Sequence, residues 1–366
     1  MLSSARPSRL AAFLLVVWLI TGCATLVKNE AVPDSGNSGQ GSVSGNSENG
    51  RRRNIEIRGV NLLQTSDVAL DSPLLALSLK RLVATGATTV ALVPFMRQNS
   101  PAAEEVVPSD AVTDEQLIAG IRQVKKAGLR VILKPQILVE NGWAGEIKPR
   151  HEAGWKNWFE SYAGRLLHYA EIAEREGAEI FVVGTELKQT DRRQEWMKLI
   201  ADVRRVYRGK LTYAAHNPDG VAGYAFWNQL DMIGVTLYPP LGEDVVREEM
   251  LSKIVDAVDL LEKQQRKINK EVLVAEVGVP SVAGGQAAPW QIPLRGVESD
   301  VNMQAMVLEL WLRELQRRNW VRGVLVWDWF SDPYAGGRKD TDFTVQNKPA
   351  QFVVKCEWTG ECASAF

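Results

Sequence analysis

The chain has 366 residues, 45% hydrophobic and 24% charged, ordinary globular proportions with ample material for a core. A net charge of -1 and a pI near 6.4 give no support to a nucleic-acid binder or an anionic-membrane surface binder. Twelve tryptophans stand out, since their flat faces serve cores and also stack on sugar rings.

At the N-terminus, Arg6 and Arg9 precede the apolar run "LAAFLLVVWLI", which has the length of a signal-peptide core and is short for a bilayer span. Ile20-Thr21-Gly22-Cys23 then reads as a bacterial lipobox, with residues 1–22 removed and Cys23 lipidated. Two lipid signals at one cysteine meet the requirement for stable anchoring. Ala24, not aspartate, favours the outer membrane as destination, facing the periplasm or the surface. The segment 34–50, "DSGNSGQGSVSGNSENG", has almost nothing apolar, so 23–53 is expected to be a flexible tether reaching ~30 Å.

From residue 54 the pattern turns regular. Strands are expected at "IEIRGVNLL", "TTVALVPF", "LRVILKPQ", "EIFVVGTE", "KLTYAAHN", "DMIGVTLY", "EVLVAEVG" and "VRGVLVWDW". Helical stretches separate them, from "LLALSLKRLVATG" to "NMQAMVLELWLRELQRRN", with a shorter one near 220–229 and a weaker one, "PAQFVVKC", after the last strand. Thr113 with Gln116 predicts a capping box, and Gly86, Gly128 and Gly177 predict helix ends. Eight strands alternating with helices predict a (β/α)8 TIM barrel over 54–355, followed by a tail at 356–366. The competing open doubly wound sheet lacks a G-x-G-x-x-G turn after the first strand. In the tail, Cys356 and Cys362 are spaced to close a small loop by disulfide. With only three widely separated histidines and no Cys-x-x-Cys, no metal site is expected.

A TIM barrel keeps its active site at the C-terminal strand ends. Those ends carry Asn61, Gln98, Lys134 with Trp143 shortly after, Glu186, His216, Tyr238, Glu276 and Trp327. Glu186 and Glu276 end the fourth and seventh strands. Taken singly, Glu186 reads equally as a helix cap near Asp191, and Glu276 as the partner of a core arginine. Taken together they are the carboxylate pair that glycosidic cleavage needs: one protonates the leaving oxygen while the other attacks the anomeric carbon or activates water. Lys134 inside an apolar strand would be costly without a partner, which argues for a cavity-facing role. Tyr238 is placed either to hold the nucleophile or as a rim tyrosine, and His216 either to meet sugar hydroxyls or as an interior histidine.

The segments "VVGTEL" and "LVAEVGVPS" resemble the acid/base and nucleophile segments of clan A glycoside hydrolases. "GVNLL", "LKPQILVENGWAG", the stretch leading into "EIFVVGTEL", and "WDWF" extend that resemblance to glycoside hydrolase family 113, the retaining β-mannanases, over about residues 55–350. The resemblance implies Glu186 as general acid/base and Glu276 as nucleophile, acting on β-1,4-mannan or a related β-glycan without metal or cofactor. By their places around the barrel mouth, Asn61, Gln98, Lys134 and His216 are expected to donate to sugar hydroxyls, and Trp143, Trp290 and Trp327 either line subsites or pack in the core or rim. Thr185 stands where most clan members have asparagine, so the group that meets the sugar 2-hydroxyl stays open. The expected protein is a membrane-tethered monomer whose partner is a polysaccharide. Its alternatives are a non-catalytic glycan-binding lipoprotein and a clan A hydrolase of glucan or cell-envelope glycans.

Overall fold

The computed structural model describes residues 55–294 and 296–362; the signal segment, Cys23 and the tether lie outside them. In chain order the elements are β1 (Ile57–Leu63), α1 (Pro73–Val83), β2 (Thr89–Leu92), β3 (Phe95–Gln98), β4 (Val107–Pro108), α2 (Asp114–Lys126), β5 (Arg130–Leu133), β6 (Gln136–Val139) and α3 (Glu152–Glu176). They continue with β7 (Ile180–Thr185), α4 (Glu195–Val206), β8 (Lys210–His216), α5 (Asn217–Gly223), β9 (Ile233–Leu237), α6 (Arg247–Ile268), β10 (Val272–Val277), α7 (Val301–Gln316), β11 (Val321–Phe330) and α8 (Pro349–Thr359). Strands β1, β11, β10, β9, β8, β7, β5 and β2 close in that order into a parallel barrel, a (β/α)8 TIM barrel.

Two expected strands are each split in two. "TTVALVPF" breaks at Pro94 and "LRVILKPQ" at Pro135, because proline has no N–H to give to a ladder. Beyond the breaks, β3 and β6 pair in parallel, β4 joins antiparallel, and the three form a small second sheet.

Strand alternation sorts the core into two shells. Ile57, Ala91, Ile132, Ile180, Val182, Ala214, Leu273, Ala275 and Leu325 form one compact apolar cluster, the barrel interior. Their neighbours Val60, Val90, Val131, Phe181, Val183, Val272, Val274 and Val324 belong to the larger cluster shared with the helices. On β10 the alternation would send Glu276 outward with Val272 and Val274. A register shift between Val274 and Glu276 against β9 breaks that parity, so Glu276 follows Ala275 into the barrel while Val277 packs outward.

The helix signals are present. Thr113 and Gln116 form a reciprocal capping box on α2, Ser72 caps α1 ahead of Pro73, and Gly177 ends α3 at φ 68. The tail expected from 356 is not separate, since α8 runs to Thr359 and buries Trp358. Gly360, left-handed at φ +77, turns the chain back so that Cys362 meets Cys356 in a disulfide. The tryptophan surplus is largely structural. Trp155, Trp158, Trp196, Trp227, Trp311, Trp320, Trp329 and Trp358 are all buried. Trp158, Tyr162, Trp196, Tyr213 and Tyr224 form a contiguous aromatic wall, and the Tyr162 hydroxyl donates to the Val183 carbonyl of β7 at 2.7 Å.

Candidate active site

Glu276 is held from three directions. Its Oε1 accepts from Lys134 Nζ, just past β5, and from Gln136 Nε2 at the start of β6. Its Oε2 accepts from the Tyr238 hydroxyl, just past β9, at 3.0 Å. Lys134 is fully buried, and its ammonium also lies 5.0 Å from the centre of the Trp327 ring, a cation–π distance. The three donors fix a carboxylate with both oxygens engaged. Gly278 lets this strand end close up, since a Cβ there would stand 2.3 Å from the Trp327 carbonyl oxygen.

Glu186 follows β7 in the left-handed region, φ 57, where a non-glycine residue is held by its surroundings. Its N–H donates to the Ala214 carbonyl at 2.8 Å. Its Oε2 accepts from the Trp143 indole N–H at 2.8 Å. Its Oε1 faces the Thr236 hydroxyl at 2.5 Å and His216 Nδ1 at 2.9 Å. The Trp143 and His216 rings meet edge to face, 4.8 Å between centres. None of these contacts is a helix cap.

The two carboxyls sit in different fields. Burial pushes Glu276 up and the charge of Glu186 adds to it; the Lys134 ammonium and the hydrogen bonds from Lys134 and Tyr238 offset only part, leaving Glu276 above the usual carboxylate range. For Glu186, burial also acts upward, but His216, through its hydrogen bond and through its charge when protonated, together with hydrogen bonds from Thr236 and Trp143, outweighs it and holds the group below that range. Burial lowers Lys134 below the usual lysine value against the pull of Glu276 and Glu186. Burial, together with the Glu276 and Glu186 charges, lifts Tyr238 well above the usual phenol value, so it stays a neutral donor.

Residues 68–348 match the family model described as Glycoside Hydrolase Family 113. The chain belongs to glycoside hydrolase family 113. It is similar to a GH113 β-1,4-mannanase solved as a complex, with 30% identity, a TM-score of 0.74, and 83% of this chain against 99% of that one. It is also similar to the GH113 β-mannanase AaManA from Alicyclobacillus acidocaldarius in complex with ManMIm, at 25% identity and a TM-score of 0.75, covering 83% and 97%. A β-glucuronidase from Ruminococcus gnavus, 14% identical with a TM-score of 0.55 over 83% of this chain and 50% of that one, shares the fold alone. No curated protein matches the chain. The protein is therefore a glycoside hydrolase, and a family 113 enzyme implies a carbohydrate substrate.

Within this family 113 barrel, two residues expected to meet sugar are occupied elsewhere. Asn61 is fully buried, and its Nδ2 donates to the Ala275 carbonyl at 3.0 Å and reaches that of Val326 at 3.4 Å, bracing β10 and β11 behind Glu276 and Trp327. Gln98 is likewise buried, giving its Nε2 to the Ser100 carbonyl and accepting from the Trp158 indole N–H, both at 2.8 Å. The break at Pro94 carries Gln98 off the barrel and onto the second sheet. Lys134 and His216, expected to donate to sugar hydroxyls, each bind a carboxylate. Trp143 lines the mouth at 37% exposure with its N–H on Glu186, while Trp290 stands half-exposed after β10. Sequence reasoning missed Gln136 and Thr236. Thr236 has the inward parity of Gly234 on β9, a signal that was there to read; Gln136 reaches Glu276 only because of the break at Pro135.

Proposed function

We propose that the protein is a retaining β-1,4-mannanase working by double displacement, with Glu276 as nucleophile and Glu186 as general acid/base. The observation that carries this reading is the pair of inward carboxylates ending β7 and β10, each held by its own donors. A non-catalytic glycan binder has no use for a carboxylate gripped by Lys134, Gln136 and Tyr238. The β-1,4-mannanase named among its structural relatives supports the substrate.

In the first half of the reaction a Glu276 oxygen forms a bond to the anomeric carbon as the bond to the leaving oxygen breaks, and Glu186 gives that oxygen its proton. In the second half Glu186 takes a proton from water, whose oxygen displaces Glu276. In the open site the donors around Glu186 favour its carboxylate, the form needed in the second half. A sugar filling the cleft removes water from Glu186 and acts toward the protonated form needed in the first. A double displacement places the two carboxyls about 5–5.5 Å apart.

Purified enzyme offered mannan, glucan, xylan and cell-wall glycans is expected to release oligosaccharides from β-1,4-mannan fastest. Glucan or a cell-wall glycan leading by tenfold would overturn the substrate assignment. Glu186→Gln is expected to lose on the order of 10²–10⁴-fold in kcat on mannan but far less on aryl mannosides with good leaving groups, which need no proton. Equal losses on both substrates would remove Glu186 from the acid role. We also place the domain on a lipid tether through Cys23, on the strength of the lipobox pattern. Cys23→Ala is expected to move it from the membrane to the soluble fraction.

A further inference from the structure

Asn217 decides where the proton on His216 sits. The backbone N–H of Tyr238, a group that can only donate, lies 2.9 Å from Asn217 Oδ1. That contact orients the amide and turns its Nδ2, also only a donor, to His216 Nε2 at 3.1 Å. Nε2 must accept, so it carries no proton. A neutral imidazole with a bare Nε2 has its proton on Nδ1, the nitrogen 2.9 Å from Glu186 Oε1. An imidazolium would set N–H against N–H₂ at Asn217 and lose that bond.

We propose that His216, locked by Asn217 as the neutral Nδ1–H tautomer, is a positioning residue that aims Glu186 and stabilises its carboxylate without placing a cation beside it. This rests on the reading of Glu186 as acid/base. The neutrality matters to the cycle. An imidazolium 2.9 Å away would oppose every protonation of Glu186, whereas a neutral N–H donor lets Glu186 alternate between its two forms. Tyr238 ties the halves of the site together, since its N–H orients Asn217 and its hydroxyl holds Glu276. The other titratable groups facing Glu186 are Lys134 past β5, Tyr238 past β9 and Glu276 on β10, with Trp143 and Thr236 as neutral donors. His216 itself meets Glu186, Asn217 and the Trp143 ring.

The first test is the ¹⁵N spectrum of the imidazole nitrogens in the intact protein. With three histidines in the chain, comparison with His216→Phe assigns the signals of His216. The expected spectrum shows Nδ1 protonated and Nε2 bare throughout the active pH range; an Nε2–H or imidazolium signature overturns the proposal. The second test is the pH profile of kcat on polymeric mannan, whose alkaline limb reports Glu186 in the substrate complex. His216→Phe is expected to move that limb about one pH unit upward, because the carboxylate loses a donor. His216→Asn, which can return an N–H at the place of Nδ1, is expected to restore the wild-type limb. A limb unmoved by His216→Phe, with only a uniform loss of rate, makes the histidine merely structural and overturns the proposal. Wild-type protein inactive on every glycan overturns the catalytic reading, and the spectrum still decides the tautomer.

Discussion

Glu276→Ala is expected to reduce mannan hydrolysis on the order of 10⁴-fold or more, as removal of a covalent nucleophile does. Azide is expected to restore part of the turnover of an activated aryl mannoside by entering the space left by the carboxylate and attacking the same face of the sugar. The product is then a mannosyl azide of inverted configuration. The variant also removes the ion-pair partner of Lys134, which is fully buried. Breaking a buried ion pair costs about 3–5 kcal/mol, moderated here because burial already favours neutral lysine. A thermal melt is therefore expected to show a lower Tm with a cooperative transition. Near-wild-type hydrolysis would remove Glu276 from the chemistry.

Lys134→Met removes the other half of that pair, and its effect is expected to be large but smaller than that of losing the nucleophile. Glu276 keeps Tyr238 and Gln136 as donors but loses the ammonium that opposes its burial. Its carboxyl already lies above the usual range, so without Lys134 it rises further. The nucleophile works only when ionised. The acidic limb of the pH–activity profile is thus expected to move to higher pH, with activity lost first at low pH and recovered as pH rises. At neutral pH a loss of about 10²–10³-fold in kcat/KM is expected. An acidic limb left in place would mean that Lys134 does not set the ionisation of Glu276.

The barrel was legible because its strands and helices alternate with clear periods, and the strand ends carried their own polar residues. Glu186, Glu276, Tyr238 and Trp327 could be named from those ends alone. What local pattern could not show was direction. Strict alternation along β10 points Glu276 at the helices, and only the bulge after Val274 turns it inward. Pro94 and Pro135 were visible, yet their consequence is tertiary: the split strands rebuild as a second sheet, moving Gln98 away from the site and Gln136 into it. Asn61 shows a further limit. A polar residue at a strand end reads as a substrate contact, but a buried amide first satisfies neighbouring carbonyls, here those of Ala275 and Val326. The tryptophan count was ambiguous for a related reason, since composition cannot separate a sugar platform from the aromatic wall behind β7 and β8.

The central claim is that Glu276 and Glu186 cleave β-1,4-mannan with retention. It is tested most directly by the configuration of the first product. Proton NMR of a mannooligosaccharide digest, recorded before mutarotation, is expected to show the β-anomer of the new reducing end appearing first and the α-anomer only later. An α-anomer appearing first would mean a single displacement and contradict the account.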